Sequence, residues 1–262
     1  LTDKSFPLIN ARLPVDEEDE SFINLPIITA AFGGKGRIVC FPHGEIICAI
    51  PIHQMTTKFF ENALSWLGQQ RSTMTSVLLL GFNQEFNVTA KGILLHFGFF
   101  VETSQKPKNL SSYRIIFIPS SIDINADNAY SKLIEFVESG GGLAVFYWPF
   151  DDSNPMSLTF PINPILFHFG LSYTFCAIND NEDQIPITRD FGSTYHLHFH
   201  SIIKHFEEFL QKDVNEIESV DLENLVTTLK YNVIVSDDMK DDMAKIGQIC
   251  YDFHDKLNFS HD

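Results

Sequence analysis

Apolar runs of strand length alternate with helix-period stretches along this chain, and the segment from Arg114 to Phe150 shows the alternation most plainly. Arg114-Ile115-Ile116-Phe117-Ile118-Pro119 is short, β-branched and aromatic, as a strand buried on both faces should be. Between Tyr130 and Ser139, Leu133, Ile134, Phe136 and Val137 fall on one helical face. Gly140-Gly141-Gly142 then stops the helix, because a C-cap takes a left-handed backbone that glycine adopts freely. Leu143 to Trp148 is a second buried strand. Strand, helix, strand makes a βαβ unit and implies an α/β sheet with a right-handed crossover. A glycine loop for phosphate needs the order strand, glycines, helix. Here the glycines follow a helix, so they read as its cap.

The same grammar extends on both sides. Pro26 to Phe32 predicts a strand, Gly33-Gly34-Lys35-Gly36 a hairpin turn, and Arg37 to Phe41 the returning strand. Pro42-His43-Gly44 predicts a turn, with His43 as a hydrogen-bonded turn residue, and Ile46 to Ile50 a third strand of a β-meander. Thr56 or Thr57 is expected to cap a helix through Phe59, Phe60, Ala63, Leu64, Trp66 and Leu67, stopped by Gly68. Val77 to Gly81 predicts a strand, Phe86 to Phe97 a helix, and Phe99 to Glu102 a strand. Beyond the βαβ unit, Ile165 to Phe169 predicts a short helix closed by Gly170, and Leu171 to Ala177 a strand. Helical spacing returns at Ser201 to Leu210, Leu222 to Leu229 and Asp237 to Phe253. The fold class expected is α/β: a doubly wound, mostly parallel sheet with a β-meander at the start and helices after residue 200. The expected division is an extended lead-in over 1–27, an α/β domain over 28–210, and a helical segment over 211–262. That last segment either packs on the domain or leads to a next one.

Composition narrows the function classes. The 262 residues include 25 Phe and are 44% hydrophobic, ample material for a large core. The net charge of −16 argues against nucleic acid and anionic membranes as partners, since both attract basic patches. No apolar run approaches the roughly 20 residues of a membrane helix, so a soluble chain is expected. The chain starts at Leu1 without a signal peptide, which reads as a fragment of a longer protein. Cys40, Cys48, Cys176 and Cys250 form no Cys-x-x-Cys pair and read as small buried hydrophobes. Asn87, Asn109 and Asn258 each open an Asn-x-Ser/Thr triplet, which permits glycosylation on a secreted route.

Four stretches in series carry a family likeness. They are Gly36 to Val39 with His43 and then Phe59 to Leu67; Leu133 to Leu143; Phe160 to Asn163 through Phe169 to Ser172; and Thr194-Tyr195-His196 with Phe199 through Phe206. Together, over about residues 28 to 210, they resemble the TRP channel-associated factors and the related enhancin-like, mucin-degrading zinc peptidases. That resemblance implies a domain similar to class I glutamine amidotransferases, ahead of a separate metallopeptidase-like domain with a His-Glu-x-x-His helix. No such motif occurs in this chain, so a peptidase domain of the parent would lie beyond Asp262. The implied partner is an ion channel, or a glycan if the parent is a mucin-directed peptidase, besides the parent's own neighbouring domains. The implied compartment is cytoplasmic or peripheral at the plasma membrane in the first case, and extracellular in the second.

The amidotransferase chemistry itself is missing. Its nucleophilic cysteine belongs in a tight turn after the strand that is here Leu143 to Trp148, with backbone N–H groups aimed at the oxyanion. Tyr147, Trp148, Pro149, Phe150 and Asp151 stand there, and none is such a nucleophile. Ser153 lacks a Gly-x-Ser-x-Gly elbow, and no His-x-Glu partner stands at a suitable place. The reading is therefore a non-catalytic accessory or interaction domain, with no cofactor. Its binding surface is expected at the strand carboxyl ends, at Pro119, Ser120, Trp148, Pro149, Phe150 and Asp151. The alternative is a metal-dependent hydrolase, with zinc on His196, His198 and His200, which alternate along the chain as ligands on one strand face would. Asp190 is the nearest upstream carboxylate, and the histidines lack the carboxylates that would hold and orient them as metal ligands.

Overall fold

The computed structural model describes residues 5–14, 22–44, 46–52, 54–69, 75–107, 109–125, 128–148, 160–173 and 187–188. The βαβ stretch folds as its pattern dictates. Strand β6 (Ile115–Pro119) and strand β7 (Gly142–Phe146) are buried at every position and pair in parallel. Helix α4 (Ala129–Glu138) connects them and buries Ala129, Leu133, Phe136 and Val137. Behind it Gly140 takes φ +113°, the left-handed conformation expected of the cap.

The other elements in chain order are β1 (Ser5–Pro14), β2 (Phe22–Gly33), β3 (Gly36–Phe41), α1 (Ile46–Ala49), α2 (Gln54–Leu67), β4 (Ser76–Leu80), α3 (Gln84–His96), β5 (Phe100–Ser104), a 3-10 turn at Leu110–Ser112, α5 (Asn163–His168) and β8 (Ile187–Thr188). One eight-stranded sheet runs in the order β5-β4-β6-β7-β3-β2-β1-β8. From β5 to β3 every pairing is parallel, and from β3 to β8 every pairing is antiparallel. This is the mixed, mostly parallel α/β fold that the sequence pattern predicts.

Side-chain alternation divides the core into two layers. Cys40, Leu78, Leu80, Ile116, Ile118, Leu143 and Val145 face α4 and α5. Their chain neighbours Val39, Phe41, Val77, Leu79, Ile115, Phe117, Ala144 and Phe146 face α1, α2 and α3. Helices thus cover both faces, which is why the central strands read as unbroken apolar runs. The hairpin β2–β3 docks tightly on the α4 cap. Lys35 N donates to Glu138 O at 3.0 Å, and Arg37 N donates to Gly141 O at 3.2 Å. A Cβ on Gly36 would stand 2.0 Å from Val137 O, so only glycine fits there.

Several boundaries differ from expectation, each for a physical reason. The expected strand Ile46–Ile50 is the short helix α1. Ile46 N and Ile47 N donate back to His43 O and Gly44 O, and Ile47 and Ile50 are buried beneath α2 and α3. The meander is instead β1-β2-β3, with β1 drawn from the stretch read as an extended lead-in. Pro7 is accommodated in β1 beside a register shift, where a missing N–H is tolerated. Helix α2 starts at Gln54, so Thr56 and Thr57 lie inside it, and the Thr57 hydroxyl donates to Ile50 O. Leu171 to Tyr173 belong to no strand, and Ile187–Thr188 pair with β1. The helices expected after residue 200 lie outside the described residues.

Candidate functional site

The parallel strands β4, β6, β7 and β3 all end at one edge of the sheet. After β4 the chain leaves through α3 to β5 on one side; after β6 it leaves through α4 to β7 on the other. The crevice between the ends of β4 and β6 is therefore the topological switch point, where open α/β sheets hold their ligands. Here side chains fill it. Ile122 Cδ1 would lie 3.3 Å from a Cβ on Gly81, just past β4. Phe82, next in the chain, is buried and stacks on Phe86 with centroids 4.1 Å apart.

Ser120 continues β6 past its end. Its N–H donates to Phe146 O at 2.8 Å, and its hydroxyl donates to Trp148 O at 3.2 Å. The same oxygen accepts from Trp148 N at 2.9 Å. Ser120 is fully buried, so this hydroxyl splices β6 to the end of β7 and has no reach to a substrate. Pro119, one residue earlier, is also buried. Neither residue offers surface to a partner.

Trp148 is half-buried at this edge. Its ring stands edge-on to Phe86 at 5.4 Å and to Phe82 at 6.2 Å, and stacks on His43 at 6.1 Å. It lies against the backbone of Gly44, where an added Cβ would meet Trp148 Cζ3 at 2.4 Å. Gly44 N donates to Tyr147 O at 3.2 Å, so the turn after β3 and the segment after β7 are tied together. His43 accepts at its carbonyl from Ile46 N at 3.4 Å, as a turn residue, and its ring is half-exposed.

Among the described side chains, the one thiol is chemically quiet. Cys40, in β3, is buried between strand and α5, and burial pushes its pKa from 9.0 up to about 12. Hydrogen bonds with Thr29 and Tyr173 offset only part of that. A thiolate nucleophile needs the opposite environment, partly exposed and electropositive. The Tyr173 hydroxyl lies 2.8 Å from Phe41 O and 2.9 Å from Val145 O, so its one proton is held by strand carbonyls. Burial also raises its pKa well above the usual value. The Asn163 amide holds this tyrosine in place, donating to Tyr173 O and accepting from Tyr173 N, both at 2.9 Å.

Of the residues singled out from the sequence, Trp148 stands at the strand carboxyl edge with surface to offer. Pro149, Phe150, Asp151, His196, His198, His200 and Asn258 lie outside the described residues. Asn87 is half-buried on α3, and Asn109 is exposed before the 3-10 turn. Among the described residues no cluster of three or more His, Cys, Asp or Glu could hold a metal. Sequence reasoning overlooked Phe82, Phe86 and His43 as partners of Trp148. The signal for Phe82 was its place directly after a buried strand. It also overlooked a cleft of about 640 Å³ at the opposite edge, between the 3-10 turn and α4, lined by Tyr113, Arg114, Lys132 and Phe136.

A family model described as "TRPM8, N-terminal domain" matches residues 13–188, more than half of the chain. No curated protein matches the chain. Among solved structures, the IMPa metallopeptidase from Pseudomonas aeruginosa is similar, both alone and in complex with an O-glycopeptide. Each of the two shows 12% identity and a TM-score of 0.44 over 64% of this chain and 18% of that chain. The same metallopeptidase in complex with T-antigen shows 11% identity and a TM-score of 0.41. The chain thus spans less than a fifth of the length of these structures. No helix among the described residues is long and apolar enough to cross a membrane.

Proposed function

The chain belongs to the family described as the TRPM8 N-terminal domain, and we propose from that premise that it is a non-catalytic, amidotransferase-like interaction domain of a larger protein. The family's description carries the name TRPM8, and with the resemblance to channel-associated factors it makes a TRPM8-type channel the candidate partner. The observation that carries the reading is the state of the carboxyl edge. Of the positions where an amidotransferase would present a thiolate, the described ones hold Tyr147 and a tryptophan bedded on Gly44. The hydroxyl beside it is consumed by backbone bonds, and the Cys40 thiol is buried. A half-buried tryptophan ringed by packed aromatics is the chemistry of an interface anchor, since such residues concentrate binding energy.

The test is a titration of the detergent-solubilised channel with the purified chain, by surface plasmon resonance. Saturable binding is expected, weakened about tenfold or more by Trp148→Ala, the ordinary size of a lost anchor. Phe100→Ser, on the far edge strand β5, is expected to leave it unchanged. Absence of saturable binding, or equal loss in both variants, would overturn the reading.

A further inference from the structure

We propose that Asn109, and not Asn87, is the N-glycan acceptor of the folded domain in any copy of this chain that meets an oligosaccharyltransferase. By sequence the two triplets are equivalent candidates: Asn87-Val88-Thr89 and Asn109-Leu110-Ser111. The fold separates them, and the argument is independent of the interaction reading above.

Asn87 lies inside helix α3. Its Nδ2, the atom that would take the sugar, donates to Phe82 O at 3.1 Å. Its Oδ1 is buried from solvent. Helical geometry also parts the triplet. Residues i and i+2 point to different sides of a helix, so the Thr89 hydroxyl does not face the Asn87 amide. A glycan there would break the bond to Phe82 O, next to the packed pair of Phe82 and Phe86.

Asn109 is the reverse in each respect. It is exposed and sits before the 3-10 turn with φ 50° and ψ 45°, a conformation asparagine tolerates. Its side chain makes no capping hydrogen bond, so the amide is available. Ser111 is exposed as well, while Leu110 between them is buried and fixes the turn. In the transfer, Asn109 Nδ2 forms the bond to the anomeric carbon of a lipid-diphosphate-linked oligosaccharide. The bond from that carbon to the diphosphate oxygen breaks. The lipid diphosphate leaves with the electron pair, and one amide proton passes to the transferase. The glycan would then stand over the 640 Å³ cleft, whose rim includes Asn109, Lys132 and Glu135.

The experiment secretes the full 262-residue chain behind a cleavable signal in mammalian cells, with Ser260→Ala to remove the Asn258 triplet. Glycans are read on the protease-resistant, folded fraction by peptide-N-glycosidase mobility shift and by peptide mass mapping. Ser111→Ala and Thr89→Ala remove each triplet while keeping its asparagine. The expected result is one glycan, lost in Ser111→Ala and kept in Thr89→Ala. A folded fraction without glycan, or with a glycan on Asn87, would overturn the proposal.

Discussion

Gly36 shows how far a single atom matters here. Its Cα lies so close to the end of α4 that an added methyl would stand 2.0 Å from Val137 O and 2.4 Å from Gly141 O, both backbone atoms. Gly36→Ala is expected to destabilise the fold by about 3 kcal/mol, read by urea denaturation, because overpacking against backbone has no cheap relief. Cys40 sets a second residue-scale expectation. Its thiol ionises at 9.0 ordinarily and at about 12 here, so between those values the unfolded chain sheds a proton that the fold retains. The contribution is fully present below about pH 9 and is lost as pH rises towards 12. Stability should fall in that window by up to about 1.4 kcal/mol per pH unit from this thiol, and Cys40→Ala should flatten the slope. Tyr173, raised in the same direction, adds to the alkaline loss. The alkaline shift was not legible in the sequence. Cys40 reads correctly as a buried hydrophobe, but its partners Thr29 and Tyr173 come from distant strand and loop positions.

At the scale of elements, legibility followed period. The run β6-α4-β7 carries two clean periodicities and a glycine stop, and its boundaries are readable within a residue or two. Ile46-Ile47-Cys48-Ala49-Ile50 has no period, since an unbroken apolar run suits a buried strand and a buried helical turn alike. Tertiary packing under α2 and α3 decides it. β1 was obscured by Pro7 and Pro14 and by the acidic run that follows, although its pairing with β2 spans Ser5 to Pro14. Asn83 caps α3, its side chain accepting from Phe86 N at 2.9 Å. Asn83→Ala should cost about 1 kcal/mol, measured by thermal unfolding. The Asn163–Tyr173 clamp closes the loop after α5 with two reciprocal bonds. Asn163→Ala should cost about 2 kcal/mol in the same assay, since it strands a backbone N–H and C=O in a part-buried place.

At the scale of the molecule, the sheet has a parallel half and an antiparallel wing, and the candidate surface lies on the parallel half. The carboxyl edge was located from strand order alone, because ligand sites of open α/β sheets gather there. What fills it was not readable: Ser120 and Pro119 looked available and are buried, while His43 and Phe86 reach Trp148 from other elements. The central claim is that this edge binds a partner instead of performing chemistry. Hydrogen–deuterium exchange on the chain, with and without the TRPM8-type channel, tests it most directly. The account predicts added protection at residues 41–44 and 146–148, around Trp148. Unchanged exchange at that edge, or protection confined to the opposite edge at residues 109–114 and 132–141, would contradict it.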